Sequence, residues 1–168
     1  MWHTHITVAA VIEHQNKFLL VSDNTSQGIR LNQPAGHLEA SEDLLAAIVR
    51  EVKEESSMDF VPEGVVGIYL YHPSPEKTYL RVCFSGRLLD YAKVPCPAAD
   101  DDGVIAAGWY DLTTIQKRAS EHRSQLVTQC IDDYLSGQLF PLSMVHNITS
   151  RYTKLSNSPI TAAICGKS

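Results

Sequence analysis

The sequence predicts an α/β fold, specifically an α/β/α sandwich around a mixed β-sheet. Three observations carry this prediction. Runs rich in β-branched residues recur at 5–12, 17–21, 65–71, 79–86 and 104–110. A helical apolar period, with Leu45, Ile48, Val49 and Val52, separates the early strands from the later ones. A second helical period follows the last strand, with Leu126, Val127, Cys130, Ile131 and Tyr134 on one side. With 168 residues, 44% of them hydrophobic, the chain is long enough for a single domain whose core needs no staples. That domain is expected to span 1–168, with its core at about 5–142 and a polar, Ser/Asn-rich tail from about 143.

The elements follow in order. His5–Ile12 reads as a buried strand, Gln15-Asn16 as a turn, and Lys17–Val21 as the partner strand. Residues 23–32 read as an irregular loop, and Pro34 and Gly36 punctuate the next one. Ser41 is placed to cap a helix running to about Ser56, with Glu42 and Asp43 in its first turn, where the helix dipole favours negative charge. Val65–Tyr71 and Tyr79–Gly86 read as strands joined through Pro73 and Pro75. Residues 94–103 form a Pro-containing acidic loop before the strand Val104–Tyr110. Asp111 caps a short helix through Ile115. The last helix runs from Ser124 to Leu135, with Gly137 placed to end it. The sequence contains neither an internal repeat nor a low-complexity block.

Composition narrows the function. There are 14 Lys plus Arg against 19 Asp plus Glu, a net charge of −5. This balance argues against sequence-independent binding to nucleic acid, which needs a basic face to neutralise phosphates. The four cysteines form no C-x-x-C pair, which argues against a zinc site or a disulfide framework. The start lacks the basic and apolar regions of a signal peptide, and no apolar run is long enough to span a membrane. The expected setting is the cytoplasm, with no membrane partner. The negative charge is localised: residues 39–55 hold six acidic residues against Arg50 and Lys53, and Asp100-Asp101-Asp102 add three more.

Glu51, Glu54 and Glu55 lie three and four positions apart, which places them on one face of the first helix. A generic run of this kind is ordinarily a solvated face with counter-charges at helical spacing. Three like charges in one patch also repel, and a divalent cation with oxygen ligands resolves that repulsion. Such an ion polarises and orients a phosphoryl group and lowers the pKa of an attacking water. Phosphoryl transfer depends mainly on positioning and charge neutralisation, so the cluster suits it.

Additional residues stand at fixed offsets. Gly36, Glu42, Arg50, Glu51, Val52, Glu54 and Glu55, ending at Ser57-Met58, resemble the Nudix box, the signature of the Nudix hydrolases. One departure is Ser57, where the family usually has the Gly that serves the turn after the helix. The resemblance continues through Asn32-Gln33-Pro34-Ala35-Gly36-His37-Leu38-Glu39, Tyr79-Leu80-Arg81, Arg123-Ser124 and Ser136-Gly137-Gln138. These stretches are similar to bacterial phosphatases of the family, although Leu31 stands where those relatives often carry Trp. The resemblance implies a Nudix-type sandwich and a Mg²⁺-dependent hydrolase in which Mn²⁺ substitutes. Glu51, Glu54, Glu55 and the Gly36 carbonyl would be metal ligands. Glu42 and Arg50 would brace the loop and helix. Glu54 or a metal-bound hydroxide would act as base.

The implied substrates are small pyrophosphates: nucleoside tri- and diphosphates, hydroxymethylpyrimidine pyrophosphate and thiamine pyrophosphate. The alternatives are a narrower hydrolase of nucleotide sugars or dinucleoside polyphosphates, and a Nudix-fold nucleotide-binding regulator without turnover. The expected assembly is a monomer or homodimer. Gln33 and Arg81 are the candidate substrate-binding residues. Gln33 lies just before the box, and a local loop hydrogen bond is its competing role. Arg81 sits in an apolar strand, where a cation needs either a substrate anion or a structural ion pair. His37 reads as a polar loop residue, and Trp109 and Tyr110 as core. Asp101 and Asp102 are further acidic candidates by position, with a solvated acidic turn as the competing reading.

Overall fold

The continuous apolar run at 8–11 makes His3–Val11 a strand buried on both faces along that run, and the computed structural model describes residues 3–99 and 103–148 around it. In chain order the described residues form β1 (His3–Val11), β2 (Glu13–His14), β3 (Lys17–Thr25), β4 (Gly28–Asn32), β5 (Ala35–His37) and α1 (Leu44–Ser56). Then come β6 (Phe60–Ser74), β7 (Lys77–Leu88), β8 (Val104–Asp111), α2 (Leu112–Lys117), α3 (Leu126–Leu135) and β9 (Phe140–Pro141). One sheet has the order β5-β1-β7-β6-β9. It is mixed because β1 runs parallel to β7, whereas its other pairings are antiparallel. The second sheet groups β2, β3 and β4, with β8 paired along β3.

Alternation divides the core into two layers. Val8, Ala10, Val82 and Phe84 face α1 and meet Ala47, Ile48 and Val52 there. Ala9, Val11 and Cys83 face the other way, towards Ile115 of α2 and Cys130 and Ile131 of α3. Helices thus cover both faces, as the α/β/α expectation required. Each fully buried aliphatic side chain contributes on the order of 1.5–3 kcal/mol. Trp109 and Tyr110 pack against the two clusters, which agrees with a core role. The cysteines among the described residues, Cys83, Cys96 and Cys130, are free thiols. No described helix is long and apolar enough to cross a membrane.

Several boundaries differ from the sequence expectation. Residues 23–32 are not an irregular loop: β3 continues to Thr25, and β4 returns from Gly28, whose φ is +93°. Asn24, Ser26 and Gly28, which suggested a loop, are exposed near the hairpin end, whereas Asp23 is buried in an ion pair with Arg123. Ser41 does not cap α1. It lies at φ 66°, and Asp43 is the cap, accepting from the Ala46 N–H at 2.7 Å. Glu42 therefore precedes the helix and is free to turn towards Arg50. Val49 is 38% exposed, so the apolar face of α1 is narrower than its sequence suggested.

Gly36 lies in the short strand β5 and not in a loop. The strands β6 and β7 form a longer hairpin than expected, with register shifts beside Pro62 and after Tyr71. The Asp111 cap is present, donated to by the Thr114 N–H at 2.7 Å. The last helix begins at Leu126, and Gly137 follows it with φ +78°. The core reaches past 142, since Val145 packs against the α1 cluster. Asp100, Asp101, Asp102 and residues 149–168 lie outside the described residues.

Two backbone positions yield opposite expectations. Ser57 ends α1 in the left-handed region (φ 60°, ψ 10°), with its N–H donating to the Lys53 carbonyl. A side chain there costs about 1 kcal/mol that glycine avoids. Ser57→Gly is expected to raise stability by roughly 0.5–1 kcal/mol. In β7, a Cβ at Gly86 would stand 2.1 Å from the Val61 carbonyl oxygen. Gly86→Ala is expected to lower stability by about 1–3 kcal/mol. Thermal unfolding of both variants checks the two signs. An unchanged Tm for Gly86→Ala would contradict the close packing of the β6–β7 hairpin.

Candidate functional site

The site begins with α1, whose C-terminal half carries Arg50, Glu51, Glu54 and Glu55 past the edge strand β5. Every N–H of the Arg50 guanidinium is engaged. Nε and Nη2 donate to the two carboxylate oxygens of Glu42 at 2.8 and 2.9 Å. Nη1 donates to Glu51 at 2.8 Å and to Glu54 at 3.0 Å. Nη2 also donates to the His37 carbonyl at 3.1 Å. One side chain thus joins the segment before the helix, the helix itself and β5. The paired, charge-assisted contact to Glu42 is the stronger kind of carboxylate recognition.

The carboxylates differ in environment. Glu42 is held below its ordinary carboxyl range, chiefly by the Arg50 hydrogen bond. Arg50 is raised further above its already high value, first by that same hydrogen bond. Glu51 goes the other way: burial pushes its carboxyl up and outweighs the pull of Arg50. Glu55 is also buried and accepts from the Ala35 N–H at 2.8 Å. Glu54 is the most open of the box carboxylates, its side chain 49% exposed.

Gly36 explains how the strand and helix approach so closely. A Cβ at Gly36 would fall 2.1 Å from Glu51 Oε1. The glycine lets the buried carboxylate lie directly against the β5 backbone. Among the described residues, no three His, Cys, Asp or Glu side chains converge in an arrangement ready to hold a metal ion. Arg50 is interleaved between Glu51 and Glu54, and Glu55 is turned to Ala35. The donor chemistry nevertheless fits a hard divalent cation. Glu51 lies against Gly36, Glu55 accepts from the Ala35 N–H, and Glu54 follows on the same helix face, an all-oxygen donor set.

A cavity of about 500 Å³ opens from this edge across the sheet. Gly36, His37 and Glu55 line its α1 side, and Arg81 and Arg123 line its far side. His37, His5 and Tyr79 form an aromatic group at its wall, with the His5 and Tyr79 rings stacked 5.0 Å apart. Burial, followed by the charges of His5 and Arg123, lowers the His37 pKa. Arg123 donates to Asp23 at 2.7 Å across 100 residues of sequence.

The predicted site residues thus fall into two groups. Glu42, Arg50, Glu51 and Glu54 are linked directly, with Gly36 and Glu55 beside them, and Arg81 lies in the cavity wall. Gln33 is elsewhere. It is 1% exposed, outside the cavity lining, and its Nε2 donates to the Val127 carbonyl at 2.7 Å. Its observed contact ties the segment before β5 to α3. Sequence reasoning missed Asp23, Asn32 and Arg123 as cavity residues. Asp23 and Arg123 are joined only by the tertiary fold, so no local spacing signals their pairing. Asp101 and Asp102 lie outside the described residues.

Comparison with known proteins agrees with this geometry. The NUDIX domain model matches residues 3–130. The chain is 36% identical over 156 residues to Phosphatase NudJ of Shigella boydii and to that of Escherichia coli K12, covering 92% of this chain and 98% of each relative. The structure of a NUDIX hydrolase from Nitrosomonas europaea superposes with a TM-score of 0.78 at 40% identity, over 87% of this chain and 98% of that one. A MutT NUDIX hydrolase from Burkholderia pseudomallei shares the fold at a TM-score of 0.64 and 14% identity, over 78% of this chain and 98% of that one. The family model covers most of the sequence, and the box, the sandwich and the carboxylate helix all coincide with it: the chain belongs to the Nudix hydrolase family.

Proposed function

We propose that this Nudix hydrolase is a Mg²⁺-dependent phosphatase of small pyrophosphate compounds. It releases phosphate from nucleoside tri- and diphosphates, and it also acts on hydroxymethylpyrimidine and thiamine pyrophosphates. The observation that carries this reading is the Arg50-centred carboxylate cluster on the same helix as Glu55, which with Gly36 and His37 lines a cavity that Arg81 and Arg123 also line. The name Phosphatase NudJ, borne by relatives that match over nearly their whole length, supports phosphate as the product. A complex of a bifunctional Francisella tularensis enzyme with AMP and Mn, related at 19% identity, supports Mn²⁺ as a substitute metal.

Glu51, Glu54, Glu55 and the Gly36 carbonyl would hold the cation, which supplies charge neutralisation and polarises the phosphoryl oxygens. For Glu51 and Glu54 to hold the cation, Arg50 would give up its contacts with them, while its bonds to Glu42 and the His37 carbonyl would keep it in place. Glu42 and Arg50 are positioning residues by this account. Glu54, the most open of the three ligand carboxylates, accepts the proton of an attacking water. The water oxygen bonds to phosphorus, the phosphoanhydride bond breaks, and its electron pair leaves with the departing phosphate oxygen. The setting is the cytoplasm, the substrates are small molecules, and neither nucleic acid nor membrane is engaged.

Glu54→Gln and Glu55→Gln are each expected to lower kcat for phosphate release at saturating Mg²⁺ by about 100-fold or more. Wild-type turnover in both variants would remove these carboxylates from the mechanism. A product assay separating phosphate, pyrophosphate and nucleoside monophosphate distinguishes the phosphatase from a nucleotide-sugar or dinucleoside polyphosphate hydrolase. Tight nucleotide binding without any turnover would identify a regulator. Arg50→Lys keeps the charge but not the planar fork. Its expected effect is a stability loss of about 1–3 kcal/mol together with weaker metal dependence. A Tm equal to wild type would show that the five-donor arrangement is not what holds the site together.

A further inference from the structure

Arg81 is 8% exposed and lies on β7, in register with Thr7 of β1. Thr7 in turn pairs with His37 of β5, so Arg81 stands two strand positions in from the strand that carries Gly36. At strand spacing that is about 10 Å between backbones. It forms no salt bridge among the described residues. Its Nε and Nη1 atoms are buried without a hydrogen-bond partner. Carboxylates in the same cavity wall have bonds of their own, Asp23 with Arg123 and Glu55 with the Ala35 N–H. On the α3 side, the Cys130 thiol is held below its usual range by a hydrogen bond with Cys83, against burial, which raises it, and then by the Arg81 charge and hydrogen bonds with Tyr69 and Arg81, so the guanidinium has a thiol partner there beside its two unmet nitrogens.

The unmet hydrogen bonds are clustered. Five buried side-chain polar atoms lack a partner among the described residues, and four of them belong to Thr7, Asn32 and Arg81. All three residues line the cavity that also holds Glu55 and Gly36. A buried guanidinium with unused donors is destabilising unless an anion meets it. A hydroxyl beside it adds one more donor for the same group. Arg81 and Thr7 are the donors that suit a negatively charged oxygen; the Asn32 orphan is a carbonyl oxygen, an acceptor that suits a donor group of the ligand instead.

We propose that Arg81 is the specificity-determining cation of this pocket, taking a negatively charged oxygen of the substrate. The site therefore selects pyrophosphates that carry a further ionised group over pyrophosphate diesters with a neutral far end. This rests on the hydrolase reading above and sharpens it, because a nucleoside triphosphate offers that group and a nucleotide sugar does not.

The test uses the full chain with Arg81→Met and Arg81→Lys. Removing an unpaired buried charge while conserving volume leaves the Tm of Arg81→Met at or above wild type. Added inorganic tripolyphosphate, with chelator present, raises the Tm of wild type but not that of Arg81→Met. Arg81→Lys keeps part of the shift. With Mg²⁺, KM for a nucleoside triphosphate rises about 10-fold or more in Arg81→Met while kcat stays within about 3-fold. KM for a nucleotide sugar changes by less than about 3-fold. The proposal is overturned if Arg81→Met melts several degrees lower, if the tripolyphosphate shift is unaltered, or if both substrates lose affinity equally. An Arg81-dependent shift without turnover of any pyrophosphate would leave the anion site standing and defeat the hydrolase reading. Turnover with an unaltered shift would do the reverse.

Discussion

The site depends on how one guanidinium is shared. Arg50 is bonded to Glu42 before α1, to Glu51 and Glu54 within it, and to the His37 carbonyl on β5. Without it, carboxylates three and four positions apart would repel across one helix face. With it, the same carboxylates lie against the edge of the sheet, and Glu51 is buried despite its charge. Lysine could supply the charge but not five donors in a fixed plane. The arrangement also explains why Asp43 caps the helix instead of Ser41: the turn at Ser41 points Glu42 back towards Arg50, and the first available carboxylate after it takes the Ala46 N–H.

The helix is held at its other end as well. Ser57 closes it in the left-handed region, and the segment after β7 returns to it. The Cys96 and Ala98 N–H groups donate to the carbonyls of Ser56 and Glu54 at 3.0 and 2.7 Å. Helix ends leave carbonyls unsatisfied, and here a loop from elsewhere in the chain supplies the donors. The carboxylates therefore project from a helix fixed at both termini and packed along Ala47, Ile48 and Val52. Rigid support of this kind is what a site built on short charge–charge distances requires.

Much of this was legible in the sequence because the signals are local. The box residues fall within one helix and the turn before it, so their offsets report their geometry. Runs of β-branched residues mark the strands, and helical period marks α1 and α3. Glu42 was readable as a bracing residue because its distance from Arg50 is set by a single turn. The stretch 23–32 reads as a loop because Ser26 and Gly28 sit at the exposed end of the β3–β4 hairpin, whose strands carry polar residues such as Asp23 and Asn32 in the cavity wall. Asp23 and Asn32 share the β3–β4 hairpin, but Arg123 reaches Asp23 across 100 residues, and no local spacing records that. Gln33 shows the same limit: adjacency to the box suggested substrate, while the fold directs its amide to Val127.

The two sides of the cavity come from opposite ends of the described chain. The Gln33 bond to Val127 spans 94 residues, and the Asp23 pair with Arg123 spans 100. The parallel pairing of β1 with β7 is likewise long-range. Contacts of this separation form late and slow folding, because loop closure must come before any gain from them. During synthesis, therefore, the acidic helix is complete well before the wall that carries Arg123 exists. Over that interval the chain has its carboxylates but no enclosed place for a pyrophosphate, so ligand can favour the native state only after the last third of the domain has emerged.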